Sequence, residues 1–122
     1  MARPKTKRGE ERLSPSEWQI MCICWKLGRA NAREILREDL KKRTRDYRTI
    51  LTFVSRMAAK GFLHVEKEGN TNFYTPAMLR EKGLQLEIDR FFDEVVGAER
   101  EDLELVQRAL DRRARRARKR AG

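Results

Sequence analysis

The stretch from Tyr47 to Pro76, YRTILTFVSRMAAKGFLHVEKEGNTNFYTP, decides the fold. Its first half keeps a helical period. Ile50, Phe53, Val54 and Met57 fall on one side, the spacing of a buried stripe at about 100° per residue. Arg48, Thr52, Ser55, Arg56 and Ala59 fall on the opposite side. Gly61 stops the helix, which therefore spans about Tyr47 to Lys60. The period then drops to two. Phe62-Leu63-His64-Val65-Glu66 reads as a strand and Thr71-Asn72-Phe73-Tyr74-Thr75 as its return, closed by Pro76. Lys67-Glu68-Gly69-Asn70 forms the turn, with Gly69 and Asn70 able to take positive φ.

Upstream, two helices are announced by their starts. Ser14-Pro15-Ser16-Glu17 is a capping box with proline at the first helical position. Trp18, Met21, Cys22 and Trp25 follow on one face, and Ile20, Ile23, Cys24 and Leu27 fill the others. A helix apolar nearly all round is buried on more than one side, and Gly28 ends it. Asn31-Ala32-Arg33-Glu34 opens a second helix with an inner face of Ala32, Ile35, Leu36 and Leu40. Arg33, Arg37, Lys41 and Lys42 lie outward, and this helix runs to about Lys42. Thr44-Arg45-Asp46 is a polar break holding a cap for the third. Helix, helix, helix, hairpin is the order of a winged helix-turn-helix.

Downstream of Ala77 the chain is again helical. Leu84, Ile88, Phe91 and Val95 recur at helical spacing, with Phe92 and Val96 beside them, until Gly97 breaks the pattern. Leu103, Val106 and Leu110 mark a shorter helix. Arg112 to Arg120 is a low-complexity basic run. The chain thus divides into a flexible basic arm (1–12), a winged helix domain (13–76), a helical region (77–111) and a basic tail (112–122). The fold class is mainly α with a small β-hairpin.

The 122 residues carry a net charge of +10, so an anionic partner is expected. Residues 13–80 hold 13 basic and 7 acidic groups, and 112–122 hold 7 basic and none acidic. Residues 81–111 hold 4 and 10. Anion binding therefore belongs to the body and the two ends, and 81–111 should face something other than DNA. Its apolar stripe asks for a partner. A two-fold homodimer through Leu84, Ile88, Phe91, Phe92 and Val95 is expected, against packing on the subunit's own body. Cys22 and Cys24 read as buried structural cysteines of a reducing cytoplasm. No run reaches membrane-spanning length, and the N-terminus lacks the apolar core of a secretory signal. The one histidine, His64, has no catalytic or metal-binding company, so neither an enzyme nor a cofactor is expected.

The run from Tyr47 to Leu63 resembles the recognition-helix segment of the penicillinase repressor family (BlaI/MecI/CopY). So does the opening Leu13-Ser14-Pro15-Ser16-Glu17-Trp18-Gln19-Ile20-Met21, with Trp25 seven residues beyond Trp18. Asn72-Phe73-Tyr74-Thr75-Pro76 fits the family's wing. The resemblance covers 13–80 well and 81–111 loosely. It implies a homodimeric transcriptional repressor with a C-terminal helical dimerisation region. Two features depart from the family. The only Asn-Phe bond, Asn72-Phe73, lies in the hairpin and not in the dimerisation region, where family members are cut. The C-terminal region also looks one helix shorter, without a cysteine-rich copper-binding tail.

In a helix-turn-helix the second helix of the pair enters the major groove of duplex DNA by its N-terminal end. Arg48 there suits guanine O6 and N7, and the Thr52 methyl suits a thymine methyl. Thr49 and Arg56 flank them and reach toward phosphates. An ordinary solvated surface is the alternative for Arg48, and an ion pair with Glu34 or Glu38 for Arg56. Tyr47 either bonds a phosphate or packs. Backbone N–H groups near Asn31, Ala32 and Arg33 could hold a phosphate, and Lys67 and Asn72 near the wing tip could touch the DNA backbone or the minor groove, though Glu66 and Glu68 weaken the wing's pull. Two other readings fit the same surface. Uniform affinity for all sequences would mark a non-specific DNA-binding protein. A preference for structured RNA would mark a protein- or RNA-interaction module.

Overall fold

Ser14 begins the first helix as expected. Its hydroxyl accepts from the Glu17 backbone N–H (3.1 Å) and the Glu17 carboxylate accepts from the Ser14 N–H (2.8 Å). The computed structural model describes residues 12–97 and 99–121, so the expected arm, Arg12 apart, lies outside the described residues. The elements run α1 (Pro15–Leu27), β1 (Ala30–Asn31), α2 (Ala32–Asp39), α3 (Tyr47–Ala59), β2 (Leu63–Glu68) and β3 (Thr71–Pro76). Then come α4 (Arg80–Phe91), a π-helical turn (Phe92–Val96) and α5 (Arg100–Ala121). They form two units, divided after Arg80.

In the first unit α1, α2 and α3 pack against one another and against a small antiparallel sheet. Ile20, Met21, Ile35, Ile50, Val54 and Met57 have no exposed surface. Burying each such side chain contributes about 1.5–3 kcal/mol. Phe53 is half-buried against this cluster. The buried side of α1 is Glu17, Ile20, Met21 and Cys24. That stripe is rotated by one residue from the expected Trp18, Met21, Cys22 and Trp25. Trp18 and Trp25 sit at its border in an edge-to-face pair (5.5 Å), and the Trp25 indole N–H donates to the Met78 carbonyl (2.9 Å). An indole needs a polar partner, which a border position supplies. Cys24 is buried, and desolvation pushes its thiol up to about 12. Cys22 is exposed, contrary to expectation.

The sheet has three strands in the order β1-β3-β2, one more than the hairpin read from sequence. β1 pairs Ala30 with Tyr74 and Asn31 with Phe73. Two residues are too short to show a period. β2 and β3 extend to Glu68 and from Thr71, which leaves a two-residue turn. Gly69 alone takes positive φ (62°) there; Asn70 does not. Glycine first with only its own φ positive is the pattern of a type II′ turn, whose twist matches the strands.

Helix α2 stops at Asp39 and not near Lys42, and Leu40 is half-exposed. The Asp39 carbonyl accepts from the Arg43 N–H (2.9 Å), and its fully buried carboxylate takes the Arg45 guanidinium (2.8 Å). Arg45 also donates to Gln19 Oε1 (2.6 Å) and lies over the Phe53 ring. The break before α3 is therefore a built corner. The last helical segment likewise begins later than expected, at Arg80. The Ala77 N–H donates to Phe62 and the Met78 carbonyl accepts from Trp25, which holds this stretch to the first unit.

In the second unit, α4 runs into the π-helical turn, closed by the Gly97 N–H on the Phe92 carbonyl (3.0 Å). The helix marked by Leu103, Val106 and Leu110 is longer than its apolar spacing. It continues through the basic run to Ala121, in a composition of arginine and alanine, both strong helix formers. Among the described residues of this unit only Gly83 and Val96 are buried. Leu84, Ile88, Phe91 and Val95 are exposed, Val95 by 70%; Phe92 is half-buried in an edge-to-face pair with Phe91.

Candidate nucleic-acid interface

Helix α3 starts on Asp46, whose carboxylate accepts from the Thr49 N–H (2.8 Å). The Thr49 backbone and hydroxyl bonds hold the Asp46 carboxyl below the usual carboxylate range. Thr49 is thus committed to the cap. Ile50, Val54 and Met57 fix the rotation of α3 by filling the core. That rotation turns Arg48, Thr52 and Arg56 outward, and all three are exposed. The Thr52 hydroxyl donates to the Arg48 carbonyl (3.1 Å), leaving its methyl as the group free for contact. Among the described residues no carboxylate pairs with Arg56. The alternative partners are taken: Glu34 caps α2, and Glu38 binds Lys41 (2.8 Å) and Lys26 (2.9 Å). Those two hydrogen bonds hold the Glu38 carboxyl at about 2.

A cleft of about 200 Å³ lies between the start of α2, the start of α3 and the hairpin. Asn31, Arg33, Tyr47 and Asn72 line it, together with Leu51 and Tyr74. Tyr47 packs against the core and carries the Arg33 guanidinium over its ring at 4.3 Å. Asn31 caps α2. Its side chain accepts from the Glu34 N–H and its own N–H donates to Glu34, both at 2.9 Å. The cap thus takes up the Asn31 backbone N–H, and among the described residues Arg33 is the cation lining this cleft. Lys67 and Asn72 face each other across the hairpin, both exposed.

Arg29 was not legible as part of the site. It lies over the Phe73 ring at 4.0 Å and bonds Glu68 (2.7 Å), with Glu66 at 3.6 Å. The two wing carboxylates are therefore matched by a cation from the turn after α1. The turn made Arg29 look like ordinary surface, because β1, which carries the chain past Phe73, leaves no trace in the sequence pattern.

A three-helix body, a sheet with a protruding hairpin, and a third helix with an outward cationic face define a winged helix-turn-helix protein. The sequence profile described as "Penicillinase repressor" matches residues 13–118, and the chain belongs to that family. It is 34% identical over 87 residues to an uncharacterized 16.5 kDa protein in the ptsI 3′ region of Latilactobacillus sakei, covering 70% of this chain and 58% of that one. It is 36% identical over 64 residues to the penicillinase repressor of Bacillus licheniformis, covering 52% and 50%. The chain thus spans a little over half the length of the curated relatives it matches. Among solved structures it resembles the monomeric form of Bacillus licheniformis BlaI in complex with the blaP half-operator. That likeness has a TM-score of 0.51 and 32% identity, over 58% of this chain and 87% of that one.

Proposed function

We propose that the chain is a sequence-specific, duplex-DNA-binding transcriptional repressor of the cytoplasm, acting as a homodimer on a palindromic operator and catalysing nothing. The observation that carries this reading is the outward face of α3, where Arg48, Thr52 and Arg56 stand exposed and, among the described residues, no carboxylate pairs with Arg56. A helix of this kind fits the major groove, where Arg48 reads a guanine and the Thr52 methyl meets a thymine. Arg56, Arg33, Tyr47, Asn72 and Lys67 hold the phosphate backbone on either side, fixing register without reading sequence. Thr49 and Asn31 serve by capping the helices that carry these groups. The complex of the related BlaI with half-operator DNA supports the same use of this fold.

Leu84, Ile88, Phe91, Phe92 and Val95 are the dimer contacts in this reading. The exposure of Leu84, Ile88, Phe91 and Val95 supports it, since so much apolar surface is rarely left to water. No helix among the described residues is long and apolar enough to cross a membrane. The test is selection of sites from a random duplex library at near-physiological salt. Enrichment of a palindrome is expected. Binding without enrichment would defeat the reading in favour of a non-specific DNA-binding protein.

A further inference from the structure

Helix α5 changes character at its middle. From Arg100 to Asp111 it carries two basic and four acidic residues; from Arg112 to Ala121 it carries seven basic and none acidic. All of the second half is exposed. Arg113 bonds back to the Ala109 carbonyl (3.1 Å), while Arg112, Arg115, Arg116 and Lys119 line one shared hollow. The charge is costly where it stands, because like charges three and four residues apart on a helix repel. Favourable interaction with the helix dipole accounts for cations in the last turn only. Those from Arg112 to Arg116 lie before it.

We infer that the C-terminal half of α5 is a second duplex-DNA-binding surface, separate in its residues from the face of α3. The density of charge matches. Seven cations over the rise from Arg112 to Arg120 stand about 2 Å apart along the axis on average, close to the one phosphate per about 1.7 Å that duplex DNA presents. The angular spread also matches. At 3.6 residues per turn the cations cover an arc of roughly 220°. Ala114, Ala117 and Ala121 take the remainder, in line with Leu103, Val106 and Leu110. A helix lying in a major groove has a phosphate wall on each side, and B-DNA's is wide enough to admit one. The deep, narrow groove of RNA is not. A bilayer surface would need large apolar side chains opposite the cations, and this half offers only alanine.

The experiment compares the full chain with the variant Arg112→Gln, Arg115→Gln, Arg116→Gln, Lys119→Gln. Glutamine keeps helix propensity and removes repulsion, so helicity by circular dichroism should hold or rise. Affinity for random 40-base-pair duplex is measured across a salt series, with Arg48→Ala alongside. The slope of log K against log salt should flatten by about 2–4 in the fourfold variant and by no more than about 1 in Arg48→Ala. At the lowest salt the fourfold variant should bind at least about tenfold more weakly. Unchanged slopes on duplex DNA overturn the inference. So does a loss seen only with an RNA hairpin or with anionic phosphatidylserine vesicles. If instead no sequence preference is found for any variant while the fourfold slope change persists, the reading of α3 fails and this one stands.

Discussion

The unit ending at Arg80 and the unit beginning at Glu81 use similar proportions of apolar sequence in opposite ways. In the first, Ile20, Met21, Ile35, Ile50, Val54 and Met57 are sealed from water. Its buried charges, Glu17 and Asp39, are each met by a cation, Lys60 at 2.7 Å and Arg45 at 2.8 Å. In the second, Leu84, Leu86, Ile88, Phe91, Val95, Leu103, Leu105 and Leu110 all stay exposed. The first unit has an interior of its own; the second has the surface of one. The difference teaches that one half of the chain is specified by itself and the other by what it meets. Each half can be attacked separately.

The largest effect is expected in the first unit. Arg45→Ala leaves Asp39 buried without its main partner. Breaking a buried pair from one side costs about 3–5 kcal/mol. Arg43, 3.6 Å away and partly exposed, offsets some of that, so the lower end is expected by urea denaturation. A loss under about 1 kcal/mol would show that water reaches Asp39 and that the corner is not a fixed part of the core. Acid should probe the Glu17 site in the same way. Burial pushes the Glu17 carboxyl up, but bonds from Lys60 and Ser14 outweigh it and leave the carboxyl below its ordinary value of 4.5. A carboxyl lowered by folding adds stability above its unfolded pKa and loses it as pH falls through the folded one. Wild-type melting temperature should therefore drop below pH 4.5, and Lys60→Met should blunt that drop. Parallel curves for the two proteins would remove Glu17 from the account.

In the second unit Phe91→Glu should weaken self-association, by about 2 kcal/mol or more if Phe91 anchors the dimer. The first unit should keep its stability. Light scattering across a dilution series reads the mass, and the same concentration dependence as wild type would assign the exposed stripe to some other partner.

The first unit was largely legible because its signals are local. Two capping boxes, a four-residue stripe on α3 and a switch of period to two all act within a few residues. What stayed hidden depends on pairing between distant segments. Nothing near Arg29 announces Phe73, Glu66 or Glu68, and nothing near Asp39 shows that Arg45 and Gln19 close over it. The one-residue rotation of α1 has a related cause. Its apolar residues surround the helix, so the buried side is chosen by α3 and β3, which pack on it, and not by α1's own pattern. Of the candidate site, the α3 face could be read from rotation alone. The roles of Asn31 and Thr49 could not, because a side chain that caps and one that contacts DNA look alike in sequence.

A moderate effect is expected at Arg48. Arg48→Ala should cost about 1–3 kcal/mol on the selected operator and relax preference at one base pair. Equal losses on operator and random duplex would demote Arg48 to a phosphate contact.

The smallest effect is the most diagnostic of how the wing works. Arg29 makes a partly exposed ion pair with Glu68 and a cation–π contact with Phe73. Such contacts are worth about 1 kcal/mol or less each, so Arg29→Ala should barely shift the melting temperature. Its effect on DNA should exceed its effect on stability, because Glu66 and Glu68 would then present two unmatched negative charges on the hairpin. Their repulsion is long-ranged and screened by salt. The loss of affinity should therefore be several-fold at low salt and shrink as salt rises. The double substitution Glu66→Gln, Glu68→Gln should restore binding in the Arg29→Ala background. Failure of that rescue would mean that Arg29 touches the phosphates itself, and that the ion pair seen here gives way when DNA arrives.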